Sequence, residues 1–122
     1  MRVKTSKLNG AALDWAVAEC EGVEVEYVDD GITRCLLQKP SGRYAPTTDW
    51  SQAGPILERE RIEVRYRVGV DLTASIDGQH EQIVGYKERS KPMLLAAMRC
   101  YVASKLGDEV EIPEELKGAS NV

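Results

Sequence analysis

The residues best suited to form a binding site are concentrated in one stretch, YAPTTDWSQAGP, which spans residues 44–55. Tyr44 and Trp50 offer large rigid rings with polar tips, which pack well against a ligand or a protein partner. Asp49, beside Trp50, can accept hydrogen bonds or hold a cationic group. These three residues are therefore candidates for the wall of a binding site.

The same stretch also has the pattern of a helix start. Thr48 or Asp49 can cap a first turn, and Gln52 lies three residues after Asp49, which would complete a capping box. A proline inside a helix removes one backbone donor and crowds the preceding turn. We therefore expect a cap at Thr48 or Asp49, a short first turn, and a kink near Gly54-Pro55.

Three arginines are candidates for anion binding. Arg65 and Arg67 share the polar face of one predicted strand, where they could hold a phosphate or a carboxylate. Arg99, in the last predicted helix, is the third. The alternative for the strand arginines is a solvated surface with ion pairs, since the arginines of residues 59–67 are interleaved with Glu58, Glu60 and Glu63.

The sequence lacks the familiar catalytic and metal-binding patterns. It contains no glycine-rich nucleotide-binding motif, no serine hydrolase elbow and no zinc protease motif. His80 is the only histidine, and its polar surroundings indicate an exposed loop. Cys20, Cys35 and Cys100 are widely spaced, so a zinc site with His80 is a remote alternative. We expect three free thiols, no metal, no cofactor and no catalytic residue, and hence a protein that is not an enzyme.

The length and net charge of the chain limit the classes of protein to which it can belong. The 122 residues suit a single domain, with an acidic C-terminal tail from about residue 108 and a frayed end from about residue 117. A net charge of −4 disfavours direct binding to nucleic acid, which requires a basic surface. No apolar run approaches the roughly 20 residues of a membrane span, and no apolar secretory segment opens the chain. The odd number of cysteines fits a reducing cytoplasm.

The elements that must position these residues follow from apolar periodicity and from helix-breaking residues. Helices are predicted between Asn9 and Gly22 and between Pro92 and Gly107, because apolar residues recur there at helical spacing. One hairpin is predicted over 23–39 around a DDG turn, and another region of strands over 62–86, with turns near Gly69–Asp71 and Asp77-Gly78. Every even-numbered residue from 62 to 76 is apolar, which predicts one buried and one wet face.

The predicted fold class is α+β, with about three helices packed on an antiparallel sheet of four or five strands. The last helix carries small residues opposite its apolar stripe, at Ala96, Cys100 and Ala103. A surface helix normally places charged residues on that side. We therefore expect this helix to be covered on two sides.

Trp15 is the candidate interface residue. On a helical wheel it points away from the apolar stripe of the first helix and is flanked by Asp14 and Glu19. One interpretation is that a second layer of the same chain, such as the 62–86 region, covers it. The other is an exposed interface, because tryptophan is enriched at binding hot spots. The small face of the last helix could extend that interface or form a homodimer.

Three long strings of the sequence resemble the NinX-like family of phage and prophage proteins. They are KTSKLNGAALDWAVAECEG, YAPTTDWSQAGPILERE and KPMLLAAMRCYVASKLGDEVEIPEEL, which together cover about half of the chain. The sequence departs from the family pattern at 52–55 and at Lys91-Pro92. The resemblance implies a phage or prophage origin and a bacterial cytoplasmic setting, but no activity. A more distant similarity to small phage α/β sandwich domains implies helices on an antiparallel sheet.

These observations favour a small, non-enzymatic phage accessory protein that binds a bacterial or phage macromolecule, with interference with host defence as one purpose. The expected partner is a host or phage protein. The alternative is a protein that binds an anionic or nucleotide-like small ligand. In that case the loop 44–50 would form one wall, and Arg65, Arg67 or Arg99 would hold the anion.

Overall fold

The computed structural model describes residues 1–32, 34–38, 42–66, 71–85 and 91–119, with side chains up to Leu116 at the C-terminal end. The strands in these ranges are β1 (Arg2–Lys4), β2 (Val25–Asp29), β3 (Arg34–Gln38), β4 (Arg43–Tyr44), β5 (Ile62–Tyr66), β6 (Asp71–Ile76), β7 (Gln79–Gly85) and β8 (Glu109–Glu111). The α-helices are α1 (Gly10–Glu21), α2 (Trp50–Glu60) and α3 (Pro92–Leu106), with short 3-10 helices at Thr5–Lys7 and Glu114–Ala119.

Helix α3 forms the centre of the fold. Every residue from Leu94 to Ala103 is buried, because the helix packs against β5, β6 and β7 and also against α1 and α2. The prediction that this helix is covered on two sides is confirmed. Its small residues Ala96, Cys100 and Ala103 lie inside the protein. They therefore cannot extend an exposed interface or form a homodimer, as the sequence had suggested.

The α+β class and the three α-helices are confirmed for the described part of the chain, but the strands do not form one sheet. They form three antiparallel sheets: β1 with β8, β2 with β3 and β4, and β5 with β6 and β7. Each three-stranded sheet is built from strands that follow one another in sequence, and Pro46 and helix α2 lie between the two sheets. Local pairing therefore replaces the single sheet of four or five strands.

The alternation predicted for residues 62–76 holds in β5 and β6. Ile62, Leu72 and Ala74 are buried on the core side, and the predicted turn at Asp77-Gly78 joins β6 to β7. The outer face is not uniformly wet, because Thr73 on the central strand is 5% exposed. Tyr66, at the end of β5, is 71% exposed despite its even number. Of the turn predicted near Gly69–Asp71, Asp71 begins β6, while residues 69–70 lie outside the described ranges.

The acidic C-terminal segment, expected as a tail, is folded against the N-terminus. In the pairing of β8 with β1, Val110 lies opposite Val3, and the Met1 amino group donates to the Ile112 carbonyl at 3.0 Å. Val110, Ile112 and Leu116 are buried. Because apolar residues are interleaved with the acids, one side of the segment packs while the carboxylates face solvent. Residues 120–122 lie outside the described ranges.

Helix α1 starts and ends where the sequence predicts. Gly22 adopts the left-handed conformation at its C-terminal end, with φ 69°, which glycine accepts at little cost. Asn9 is the N-cap residue, but its side chain forms no capping hydrogen bond and instead donates to the Lys7 carbonyl at 3.3 Å. Leu13, Ala16 and Val17 of the predicted stripe are fully buried. None of the helices in the described ranges is long and apolar enough to span a membrane.

Helix α2 begins at the predicted cap. The Asp49 side chain accepts from the Ser51 hydroxyl at 2.6 Å and from the Ser51 amide at 2.9 Å, and these two bonds lower the pKa of its carboxyl. The capping box does not form, because the Asp49 amide already donates to the Ala45 carbonyl at 2.9 Å. The helix also runs on through Pro55. Pro55 offers no donor to the Ser51 carbonyl, but Ser51 is exposed, so water can satisfy it.

Replacing Asp49 by alanine is expected to lower the melting temperature by a few degrees, because the Ser51 amide loses its acceptor and the helix start loses a negative charge. Asp49→Asn keeps an acceptor oxygen and is the matched control, which should lie closer to wild type. Thermal unfolding followed by circular dichroism measures both variants. An alanine variant with unchanged melting but impaired binding would instead place Asp49 in a binding surface.

Candidate functional site

A cleft lies where α1 faces β3, β4 and the loop that leads to α2. Its volume is about 170 Å³, and its lining includes Asp14 from α1, Arg34 from β3, Arg43 and Tyr44 from β4, and Thr47 from the loop. We call it the Asp14 cleft. Polar side chains converge here on a small concave surface, which is the usual form of a ligand site.

Asp14 is the chemically unusual residue of the cleft. It is 6% exposed, and its Oδ1 atom accepts a hydrogen bond from the Thr47 amide at 2.9 Å. Burial raises the pKa of its carboxyl to about 7, although the bonds from Thr47 and the charge of Arg43 act in the opposite direction. Burial therefore favours the protonated form of this carboxyl over the range in which an exposed aspartate would be ionised.

The loop that forms one wall of the cleft is fixed by side chains from two helices. Gln52 of α2 accepts from the Ala45 amide at 2.8 Å and donates to the Arg43 carbonyl at 2.8 Å. Lys91, which precedes α3, donates to the Thr48 carbonyl at 2.6 Å. Gln52 thus anchors the loop to the helix start instead of closing a capping box.

Two arginines bring positive charge to the cleft. Arg34 is 56% exposed and lies 3.5 Å from the Asp29 carboxylate. Arg43 is exposed and forms no ion pair with the acidic side chains of the described residues, while its charge lowers the pKa of Asp14. A cationic group and a buried carboxyl therefore share one small concave surface.

The structure separates the three candidate residues of the stretch 44–55. Tyr44 is buried and lines the Asp14 cleft, and burial raises the pKa of its hydroxyl. Asp49 faces solvent and caps α2. Trp50 begins α2 and is 46% exposed, but it is not part of the cleft lining. Of this stretch and its loop, Tyr44 and Thr47 line the cleft.

The three candidate arginines do not meet in one place. Arg65 is 67% exposed and pairs with Glu63 on its own strand at 2.7 Å. Arg99 is 4% exposed, and its Nε donates to the Leu8 carbonyl at 2.7 Å. Arg67 lies outside the described residues. Neither Arg65 nor Arg99 is part of the Asp14 cleft.

A second polar cluster joins the C-terminal parts of the three helices. Arg59 of α2 holds the Glu21 carboxylate of α1 with two bonds of 2.5 and 3.2 Å, and the Tyr101 hydroxyl of α3 donates to the same carboxylate. Burial pushes the pKa of Glu21 up, but the bonds from Arg59 and Tyr101 outweigh it and leave the pKa lowered. The cluster is satisfied internally, so its role is to fasten the helices together.

Trp15 lines a groove beside the C-terminal strand β8. It is partly buried and packs against the core, and with Leu106 and Val110 it lines a groove of about 260 Å³. Leu106 is 41% exposed. We call this surface the Trp15 groove. Its remaining lining residues are all acidic: Glu19, Glu109 and Glu111.

The remaining candidates for chemistry are not assembled into a site. His80 is exposed and lies in β7 next to the β6–β7 turn, with φ 58°. The three cysteines are free thiols, and burial raises the pKa of both Cys20 and Cys100 to about 11, which keeps them protonated. Among the residues that the structure describes, no group of histidine, cysteine, aspartate or glutamate side chains is arranged to hold a metal ion.

The sequence interpretation missed Asp14, Arg34 and Arg43. The helical wheel placed Asp14 beside Glu19 on the polar side of α1, but the loop from β4 folds over it. The sequence feature that could have identified Asp14 is its context, because Asp14 is the single charged residue in the run GAALDWAVA. A lone carboxyl in an apolar helix is either paired or functional. The signal for Arg43 was its position next to Tyr44.

The sequence matches the protein family described as Bacteriophage P22, NinX over residues 4–105. The chain belongs to the NinX family. Family membership indicates a phage accessory protein. The matched range contains the whole lining of the Asp14 cleft, whereas Glu109, Val110 and Glu111 of the Trp15 groove lie beyond it. No curated protein matches this NinX-family chain significantly.

Proposed function

We propose that this NinX-family protein is a non-enzymatic accessory protein that binds a host or phage protein in the bacterial cytoplasm. The observation that carries the proposal is the Trp15 groove, an apolar floor enclosed by carboxylates. A tryptophan that is partly held by the core offers a large contact area with little side-chain entropy to lose. Binding through such a surface requires no catalytic group.

The charge around the groove indicates the chemistry of the partner. Glu19, Glu109 and Glu111 line it, and the chain carries a net charge of −4. A partner segment with lysine or arginine next to an apolar residue would place its cation near the carboxylates and over the Trp15 ring. The same negative charge disfavours nucleic acid as the partner. We propose to test first whether this protein covers a functional surface of a host defence protein.

Replacing Trp15 by glutamate is expected to abolish capture of the partner from lysate of infected host cells. Ile83→Glu is the control, because Ile83 is 50% exposed on a different face and should leave capture intact. Glu19→Lys reverses a charge at the groove without touching the core and should weaken capture at least tenfold. Circular dichroism verifies folding of each variant. Sedimentation of the same samples tests whether the groove instead pairs two copies of this chain.

Normal capture by folded Trp15→Glu and Glu19→Lys proteins would contradict the proposed groove. The salt dependence of capture adds a second criterion, since a basic partner facing carboxylates should bind more weakly as ionic strength rises. Salt-independent binding would contradict a basic partner even if the groove itself were correct.

The second candidate function is the binding of a small ligand, and the Asp14 cleft favours it. The loop from Tyr44 forms one wall, as the sequence suggested, but the arginines at this cleft are Arg34 and Arg43. The cleft of about 170 Å³ is smaller than the roughly 300–1,000 Å³ of typical pockets for drug-sized ligands. It therefore suits a small ligand, or one chemical group of a larger one.

A further inference from the structure

We propose that the Asp14 cleft binds an α-amino acid unit, whose nitrogen donates to the Asp14 carboxylate and whose own carboxylate is held by Arg43. This inference rests on the second candidate function, the binding of a small ligand. It is independent of the Trp15 groove. The unit can come from a free amino acid or from the C-terminal residue of a polypeptide.

The opposite charges in the cleft select this class of ligand. A ligand that is only anionic would meet the Asp14 carboxylate, and a ligand that is only cationic would meet Arg43 and Arg34. A ligand with a nitrogen donor at one end and a carboxylate at the other satisfies both groups. Arginine binds carboxylates through paired N–H donors, which gives this contact direction as well as strength.

The size of the cleft limits the ligand further. A volume of about 170 Å³ is below the roughly 300–1,000 Å³ of typical pockets for drug-sized ligands. An alanine unit is smaller than such ligands, whereas a nucleoside is several times larger than an alanine unit. The cleft thus accommodates one small residue, while the rest of a longer ligand would lie outside it.

Asp14 is already oriented for such a contact. The Thr47 amide holds its Oδ1 atom at 2.9 Å, and the loop that carries Thr47 is anchored through Ala45 by Gln52. A carboxylate can accept about four hydrogen bonds in total, so Asp14 retains capacity for a ligand donor. A site whose side chains are fixed before binding loses less entropy when the ligand enters.

The test uses three probes with the full-length protein: L-alanine, the tripeptide Ala-Ala-Ala, and the same tripeptide with an amidated C-terminus. Titration by calorimetry and by amide chemical shifts, followed at Thr47, is done at about pH 8, above the pKa of about 7 for Asp14. We expect alanine, the free tripeptide or both to bind, and the amidated tripeptide to bind at least tenfold more weakly. Binding of alanine alone identifies a free amino acid as the source, and binding of the tripeptide alone identifies a polypeptide end.

Three variants complete the test. Arg43→Gln and Asp14→Asn should each weaken binding at least tenfold, while Arg61→Gln, an exposed arginine elsewhere, should bind as wild type does. Absence of binding to all probes, equal binding of the amidated peptide, or an unaffected Arg43→Gln protein would overturn the proposal. Glu19→Lys separates the two functions, because it alters the Trp15 groove and should leave binding of these probes unchanged.

Discussion

Replacing Asp14 by asparagine is expected to stabilise the protein near pH 8 and to remove a fall in stability that the wild type shows as pH rises from about 4 to about 7. In the folded protein burial raises the pKa of Asp14 from 3.8 to about 7. Asparagine retains an oxygen that can accept from the Thr47 amide, but it carries no charge to bury. The variant therefore keeps the hydrogen bond from the Thr47 amide that holds the loop, but it no longer has a carboxyl that titrates at this position.

The direction of this pH dependence follows from the number of protons that Asp14 binds in the folded and in the unfolded state. Between pH 3.8 and about 7 the unfolded carboxyl has lost its proton, while the folded one retains it. The folded state binds more protons in this range, so the free energy of unfolding decreases as pH increases and levels off above about pH 7. Raising the pKa of one carboxyl from 3.8 to about 7 corresponds to on the order of 4 kcal/mol of unfolding free energy. Typical domains have only about 5–15 kcal/mol of stability in total.

Denaturant unfolding of both proteins, from about pH 4 to about pH 8, measures this effect. The difference between the two curves isolates Asp14, since the lowered pKa values of Glu21, Asp49 and Glu60 affect both proteins alike. Glu19→Gln is the matched control, because it removes an exposed carboxyl from the same helix. Parallel curves for wild type and Asp14→Asn would show that the folded carboxyl titrates as it does in the unfolded chain.

The parts of the fold that local sequence determines could be predicted. The limits of α1 and α3, the cap at Asp49 and the turn at Asp77-Gly78 depend on residues within one or two helical turns. The division into three sheets could not be predicted, because β1 pairs with β8 across most of the chain. The sequence after Asp108, taken by itself, is only an acidic run. The strand with which it pairs, β1, lies at the other end of the sequence.

The candidate site could also be predicted from the sequence only in part. Tyr44 could be identified from the stretch in which it lies, but Asp14 becomes buried only because the loop after β4 folds over α1 and places the Thr47 amide 2.9 Å away. Side chains far apart in sequence come into contact when helices, strands and loops pack together. The spacing of residues along one helix or strand does not predict these contacts. The position of Arg43 and Asp14 in the lining of one cleft belongs to this class, and so does the burial of Arg99.

Replacing Arg99 by alanine is expected to cost about 3 kcal/mol of stability, the second largest effect that we predict. Arg99 is 4% exposed in the middle of α3, and its Nε donates to the Leu8 carbonyl at 2.7 Å. That carbonyl precedes α1, so the bond ties the start of α1 to the central helix. Truncation leaves a buried acceptor without this donor and also a cavity, and each of these costs stability.

Arg65→Ala is the matched control for Arg99→Ala, since it removes the same side chain from an exposed strand position. Arg65 is 67% exposed and pairs with Glu63 along the surface, and such exposed pairs contribute at most about 1 kcal/mol. Denaturant unfolding of the two variants should therefore differ by about 2 kcal/mol or more. If Arg99→Ala were as stable as wild type, the bond from Arg99 to the Leu8 carbonyl would not be what holds α1 against α3. A large loss of stability assigns it instead to holding α1 against α3.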